Sequence, residues 1–124
     1  KFDDPACELK LALYGHPSSG GFWEEYAEQQ LHAEGFIDIE GWRSCFWHPE
    51  LLVVLILYMD DFKLAGPTAN LPAAWKKIRK RINAGDPTPL DHFLGCKHEV
   101  VEYTPPCYDS CVPAVVYNME DFFV

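Results

Sequence analysis

Residues 51–66 read LLVVLILYMDDFKLAG, and this stretch decides the fold class. Its first eight residues form a continuous β-rich apolar run, which predicts a strand buried on both faces at residues 51–58. A second strand is predicted at residues 62–66. Because only Met59, Asp60 and Asp61 separate the two strands, they predict an antiparallel hairpin with both aspartates at its tip. The apolar run is too short for a transmembrane helix, which needs about 20 apolar residues.

Four further segments predict secondary structure around this hairpin: helices at residues 22–34 and 72–83, and strands at residues 44–48 and 92–101. The first helix is amphipathic, since its apolar residues recur at spacings of three and four, and Gly35 ends it. The second helix carries a basic run at residues 76–81, which predicts either a solvated helix face or a contact with a phosphate backbone. Together these segments predict an α+β fold with two helices on one face of an antiparallel sheet.

The composition is that of one globular domain or a piece of one. The chain has 124 residues, of which 48% are hydrophobic and 23% are charged, so extensive disorder is excluded. Its net charge of −9 arises in residues 1–61, which hold twelve acidic and three basic residues. An acidic chain is a poor general binder of nucleic acid, because phosphate binding needs cations. No secretory signal peptide is visible.

Five cysteines form an odd set without a CxxC motif. This pattern argues against a disulfide framework and predicts an intracellular, reducing compartment. A zinc site is one hypothesis for Cys96, His98, Cys107 and Cys111, because thiolate and imidazole are zinc ligands. Their spacing matches no standard zinc motif, and the alternative is that the cysteines are free thiols. The histidines show no HExxH spacing, so none of them is predicted to be catalytic.

Asp60 and Asp61 are the clearest candidate site in the sequence. Two adjacent carboxylates repel each other, and a bound cation would remove that repulsion. Hard oxygen ligands suit magnesium, which proteins hold through one or two carboxylates plus substrate phosphates. That arrangement is typical of phosphoryl and nucleotidyl transfer. The alternative is an ordinary acidic β-turn, since Asp is a common turn residue.

Tyr58-Met59-Asp60-Asp61 matches the YxDD box of reverse transcriptases, and its surroundings resemble Copia-type retrotransposon polymerases. Further matching pieces occur in the family's order: residues 11–15 (LALYG), Trp23, residues 35–36 (GF), residues 51–66 and residues 93–95 (FLG). The order and spacing agree over about residues 7–100. The resemblance implies an incomplete palm-like α+β domain over residues 1–100, with an antiparallel sheet, a YMDD hairpin and two packed helices. Residues 101–124 are expected to form an irregular, truncated C-terminal extension.

The resemblance also implies an activity, RNA-directed DNA polymerisation by magnesium-dependent nucleotidyl transfer. It makes Asp60 and Asp61 the catalytic and magnesium-binding residues, with Asp60 the main ligand and Asp61 a supporting one. Tyr58 and Met59 would lie near the primer terminus. Nucleic acid is the implied partner, although the net charge of −9 opposes it, and the cytoplasm or nucleus is the implied compartment.

Two departures from the family pattern limit this expectation. The family's third metal-binding aspartate lies upstream of its ALYG segment, and no apolar strand surrounds Asp3 and Asp4 to match it. Residues 17–21 (PSSGG) lack the cation and the amide with which the family contacts template and nucleotide. We therefore expect a fragment that begins after the first catalytic motif and is inactive alone. The alternative is a non-catalytic, retroelement-derived structural subunit or connector that binds other protein chains in a larger assembly.

Overall fold

The computed structural model describes residues 8, 10, 13, 15–107 and 110–120. The chain divides into two compact units, Lys1–Ala84 (unit 1) and Gly85–Val124 (unit 2). Two helices and two antiparallel sheets make up the described residues, which confirms the predicted α+β class. In this described part of the chain, neither helix has the length and apolar character needed to cross a membrane.

Unit 1 is a four-stranded antiparallel sheet with two helices. Its elements, in chain order, are α1 (Ser19–Ala33), β1 (Ile37–Ile39), β2 (Trp42–His48), β3 (Val53–Tyr58), β4 (Asp61–Ala65) and α2 (Leu71–Arg81). The strands lie in the sheet in their sequence order, so β3 is paired on both sides by its neighbours in the chain. β3 and β4 form a hairpin whose register runs from Val54 opposite Ala65 to Tyr58 opposite Asp61.

The core of unit 1 lies on one face of this sheet. Val53, Leu55 and Leu57 of β3 are buried, whereas the intervening residues Val54 and Ile56 are half-buried. The prediction that this strand is buried on both faces is therefore wrong. The reason is that α1 and α2 pack on the same face, to which they contribute Ala27, Leu31, Ala74 and Ile78. Each fully buried aliphatic side chain stabilises the fold by about 1.5–3 kcal/mol.

The helix and strand boundaries shift slightly from those predicted. α1 begins at Ser19 instead of residue 22, because the Phe22 N–H already donates to the Ser18 carbonyl at 3.1 Å. The first turn of this helix therefore includes Ser19, Gly20 and Gly21, which lie before the predicted start. Gly35 follows α1 with φ +94°, the left-handed conformation that ends helices, as predicted.

A buried carboxylate joins the two helices. Glu34 directly follows α1 and is only 7% exposed. Its Oε1 accepts hydrogen bonds from Lys80 Nζ and Arg81 Nε of α2, both at 2.8 Å. Its carbonyl accepts one from Lys77 Nζ at 3.0 Å. The basic run of α2 is therefore neither simply solvated nor wholly available to phosphate, because three of its cations bind this one residue.

These hydrogen bonds control the ionisation of Glu34. The bonds from Arg81 and Lys80 favour the charged carboxylate and lower the pKa of Glu34 from its usual 4.5 to about 2, against the opposing effect of burial. A carboxyl whose pKa is lower in the folded state stabilises the fold at pH values above its unfolded pKa. That stabilisation is lost as the pH falls towards the folded pKa.

Unit 2 is a small three-stranded antiparallel sheet. Its strands are β5 (His92–Phe93), β6 (Cys96–Tyr103) and β7 (Val112–Asn118), in the order β5-β6-β7. The predicted boundary at residue 100 falls inside β6, and the described residues of the expected irregular tail include the end of β6 and all of β7. The β-branched valines of β7 favour a strand, and Pro113 is tolerated because β7 lies at an edge of the described sheet.

We expect Glu34→Gln to destabilise the protein at neutral pH, because it removes the charge that Lys80 and Arg81 neutralise. The difference in unfolding free energy between wild type and variant should be constant above about pH 5.5 and shrink from pH 4.5 towards pH 2. Chemical denaturation across this pH range measures it. Glu50→Gln, in the exposed turn between β2 and β3, controls for the loss of one negative charge. A difference that does not change between pH 6 and pH 2 would contradict the ion-pair explanation.

We expect Gly66→Ala to be destabilising, because β4 ends against the chain that enters β3. A Cβ at Gly66 would lie 2.7 Å from the Leu52 carbonyl oxygen and 2.7 Å from Val53 Cγ1. Backbone shifts of this kind cost about 1–3 kcal/mol. Gly85→Ala is the matched control, since its Cβ would have no neighbour within 4 Å. Equal midpoints of thermal unfolding for the two variants would contradict the close approach at Gly66.

Candidate functional site

The β3–β4 hairpin presents the acidic pair at an exposed tip. Tyr58 and Asp61 form the last pair of the ladder, and Met59 and Asp60 are the two turn residues between them. All four residues are exposed, Tyr58 at 59% and Met59 at 55%. The buried residues of β3 hold the base of the hairpin in the core. The tip therefore exposes two carboxylates and the side chains of Tyr58 and Met59 to solvent, while its base is anchored in the core.

The turn contains an unusual backbone conformation. Met59 has φ +51°, a left-handed value that is uncommon for residues other than glycine. Two-residue hairpins favour turns with positive φ at the first central position, because those turns match the twist of the strands. A glycine or asparagine would adopt this conformation at a lower cost in free energy. Such strained positions concentrate at functional sites, which makes Met59 a residue of interest at this tip.

A tryptophan side chain holds the turn. Trp23 Nε1 of α1 donates a hydrogen bond to the Met59 carbonyl oxygen at 2.9 Å. The indole ring is half-buried and packs against the core of unit 1. This contact spans 36 residues of sequence, and helix periodicity alone assigns Trp23 only to the packed face of α1. The hydrogen bond fixes the tip relative to the first helix.

The two aspartates offer oxygen ligands to a hard cation. Asp61 is the cross-strand partner of Tyr58, so both side chains lie on the sheet face opposite the helices, while Phe62 points to the core. Asp60 lies in the turn itself. Adjacent exposed carboxylates fit magnesium, which accepts one or two protein carboxylates and completes its shell with water or phosphate oxygens. No third protein ligand is brought to this pair among the described residues.

The predicted zinc ligands are not assembled into one group in the described part of the chain. Cys96 and His98 lie two residues apart on β6 and are buried, whereas Cys107 and Cys111 are exposed. Cys96 Sγ contacts the Asn118 carbonyl oxygen at 3.6 Å. All four described cysteines, the fourth being Cys45, are free thiols.

An acidic pocket lies beside the hairpin, between α1 and the start of β2. Its volume is about 580 Å³, and Leu57, the residue before Tyr58, forms part of its wall. The charged residues that line it are five acids and one base: Glu24, Glu25, Glu28, Asp38, Glu40 and Arg43. Arg43 already binds the Glu24 carboxylate, so the pocket keeps an excess of negative charge. The sequence signalled this only as the acidic bias of the first 61 residues.

Two pocket residues also belong to a cluster of possible metal ligands. Glu28, His32 and Asp38 each place one ligand atom within 4.8 Å of the others. His32 Nε2 and Asp38 Oδ1 are 3.0 Å apart. The search for HExxH spacing did not indicate this cluster, because two of its three ligands are carboxylates. The usable signal was Glu28 and His32 at a spacing of four residues, which lie on one face of a helix.

We expect Trp23→Phe to loosen the hairpin tip without unfolding unit 1, because it keeps an aromatic ring in the core and removes the indole donor. The loss of one such hydrogen bond costs about 1 kcal/mol. Amide hydrogen exchange should become faster at Met59, Asp60 and Asp61. Trp42→Phe, at a tryptophan that is 69% exposed, is the matched control. Unchanged exchange at the tip in Trp23→Phe would show that the indole bond does not hold the turn.

The chain was also compared with known proteins. No family model, no curated protein and no solved structure matches it.

Proposed function

We propose that this chain provides the carboxylate hairpin of a reverse-transcriptase palm of the Copia type, acting in magnesium-dependent nucleotidyl transfer. The single observation that carries the proposal is the hairpin turn that exposes Asp60 and Asp61 at the end of β3, a strand buried on one face. The proposal also rests on the YMDD string and the matching pieces around it in the sequence. Asp60 and Asp61 would be the magnesium ligands, with Asp60 the main one.

The geometry of the tip supports distinct roles for its four residues. When bound, magnesium would lower the electrostatic barrier to attack of a primer hydroxyl on a nucleoside triphosphate. Asp60 and Asp61 would hold such an ion by their carboxylates. Tyr58 and Met59 are exposed beside them and would present apolar surface to a primer terminus. The Trp23 hydrogen bond would keep these groups in position during the reaction.

The charge distribution indicates that the chain needs help to bind nucleic acid. The pocket beside the hairpin is acidic, and Lys77, Lys80 and Arg81 bind Glu34. Phosphate groups would therefore meet a negative surface near the hairpin unless metal ions screened it. Cationic surface for the template would come from partner chains or other polymerase segments, and we expect no polymerisation by this chain alone.

A second candidate function is that of a non-catalytic subunit or connector in a larger assembly. It is favoured by the apolar side chains that unit 2 exposes on β6 and β7, among them Val100, Tyr103, Val115, Val116 and Tyr117. Exposed apolar surface of this kind is typical of protein contact sites. In this role the hairpin would be inherited architecture, and its carboxylates would bind no metal.

Titration of the whole chain with Mn²⁺, a paramagnetic substitute for Mg²⁺, tests the first proposal. NMR signals of backbone amides near a bound Mn²⁺ broaden, so the site is read residue by residue. We expect broadening at residues 58–62 in wild type and its loss in Asp60→Asn. Asp86→Asn, an exposed aspartate in unit 2, is the matched control and should broaden like wild type. Broadening elsewhere in unit 1 would report a separate Mn²⁺ site and would not support binding at the hairpin.

Absence of broadening at the hairpin at millimolar Mn²⁺ would overturn the proposal and favour the connector role. Primer extension on an RNA template is measured in parallel, with Asp60→Asn as control. Extension that disappears in the variant would support nucleotidyl transfer. It would contradict the expectation of inactivity and show that a further carboxylate comes from this chain or from a second copy.

A further inference from the structure

We propose that Glu28, His32 and Asp38 form a binding site for a divalent transition metal of the zinc class. The three residues lie in unit 1 on two elements, Glu28 and His32 on α1 and Asp38 on β1. None of them belongs to the β3–β4 hairpin, so this site is independent of the proposed magnesium ligands. It would connect the last two turns of α1 to the edge strand of the sheet.

The placement of the donors follows from local structure. Glu28 and His32 are four residues apart and therefore neighbours on one face of α1. Asp38 pairs with Phe46 across β1 and β2, so its side chain lies on the core-facing side of the sheet, towards the helix. The His32 ring meets the Phe46 ring edge-on at 6.2 Å, which limits its orientation.

The distances suit bonds of zinc length. Zinc–nitrogen and zinc–oxygen bonds are about 2.0–2.2 Å, which places two ligand atoms of a tetrahedral site about 3.3–3.6 Å apart. His32 Nε2 and Asp38 Oδ1 are 3.0 Å apart, so a few tenths of an ångström of separation would bring them to this spacing, and all three ligand atoms lie within 4.8 Å of one another. Because Glu28 is exposed, a change of side-chain rotamer can close the remaining distance. The metal would replace the His32–Asp38 hydrogen bond with two coordinate bonds.

The donor set selects the class of ion. One imidazole with two carboxylates suits Zn²⁺, Co²⁺ and related ions, whereas magnesium and calcium prefer oxygen ligands alone. The side chains of His32 and Asp38 are 40% and 56% exposed, so water can complete the coordination shell. Three protein ligands with open positions are also the pattern of reactive zinc sites.

The acidic pocket, which shares Glu28 and Asp38 with this cluster, adds electrostatic attraction for a cation. Glu28 and Asp38 line it together with Glu24, Glu25 and Glu40, and its one arginine binds Glu24. A concave surface lined by one sign of charge raises the local concentration of the opposite ion. The cation would therefore be both attracted by the pocket and held at its edge by His32.

The competing explanation is a simple ion pair. Inward-pointing charges on edge strands protect sheets from unwanted pairing, and Asp38 on β1 is such a charge. In that case His32 and Asp38 would contact each other and Glu28 would have no part. The two explanations differ in what Glu28 does, which makes Glu28→Gln the informative variant because it preserves shape and helix propensity.

The test uses the whole chain, with Zn²⁺ measured by calorimetry and Co²⁺ by its visible spectrum. We expect Glu28→Gln and His32→Ala each to raise the Kd at this site by about tenfold or more. His92→Ala is the matched control, because His92 Nδ1 contacts Asp91 at 3.1 Å in unit 2 outside any three-ligand group among the described residues. It should bind zinc like wild type.

Two readouts separate this site from the cysteines and from misfolding. A Co²⁺ spectrum without a sulfur-to-metal charge-transfer band would exclude thiolate ligands. Zinc should raise the thermal midpoint of wild type but not of Glu28→Gln, since a ligand that binds only the folded state stabilises it. Unaltered zinc affinity in Glu28→Gln, or a thiolate band that accounts for all bound cobalt, would overturn the proposal.

Discussion

Burial of one face of strand β3 against both helices is the interaction on which unit 1 depends. Leu55 is fully buried, is paired with Phe46 of β2 and Leu64 of β4, and belongs to the same core cluster as Leu31 and Ile78 of the helices. At about 1.5–3 kcal/mol for each buried aliphatic side chain, this layer supplies much of the stabilisation that a small domain can draw on. A hairpin that begins in this layer has a rigid base, so its exposed turn can be held in a strained conformation.

Two polar contacts and one close backbone approach then fix the positions of the hairpin and helices, which apolar burial alone does not determine. The indole of Trp23 binds the turn carbonyl of Met59, and the carboxylate of Glu34 joins the end of α1 to α2. The backbone at Gly66 approaches Leu52 too closely for a side chain. Each contact has a direction, whereas apolar burial has none, and together they set where the hairpin tip stands relative to the helices.

The sequence predicts those parts of the fold that follow from periodicity and short-range spacing. The apolar run at residues 51–58 and the three-residue link that follows this run were sufficient to predict the β3–β4 hairpin. The recurrence of apolar residues at spacings of three and four was sufficient to predict α1. The exposed position of the acidic pair followed from the same pattern. Side-chain contacts between different elements were not predictable in this way, because neither the Trp23 bond to Met59 nor the contact of His32 with Asp38 leaves a periodic signal. Residues 101–124 were expected to be irregular, yet their described part includes the end of β6 and all of β7, whose edge position tolerates Pro113.

The positive charge of the basic run of α2 is partly neutralised within unit 1. Lys77, Lys80 and Arg81 bind Glu34, so they offer a reduced cationic surface to nucleic acid, although the side chains of Lys80 and Arg81 remain 64% and 42% exposed. Much of the acidity of unit 1 is then left uncompensated around the pocket and the hairpin, where it favours small cations over phosphate chains. The two acidic sites differ in donor chemistry, since Asp60 and Asp61 offer only oxygen and His32 adds nitrogen. Hard and borderline cations would therefore distribute between them by ligand type, even though the same negative field attracts both.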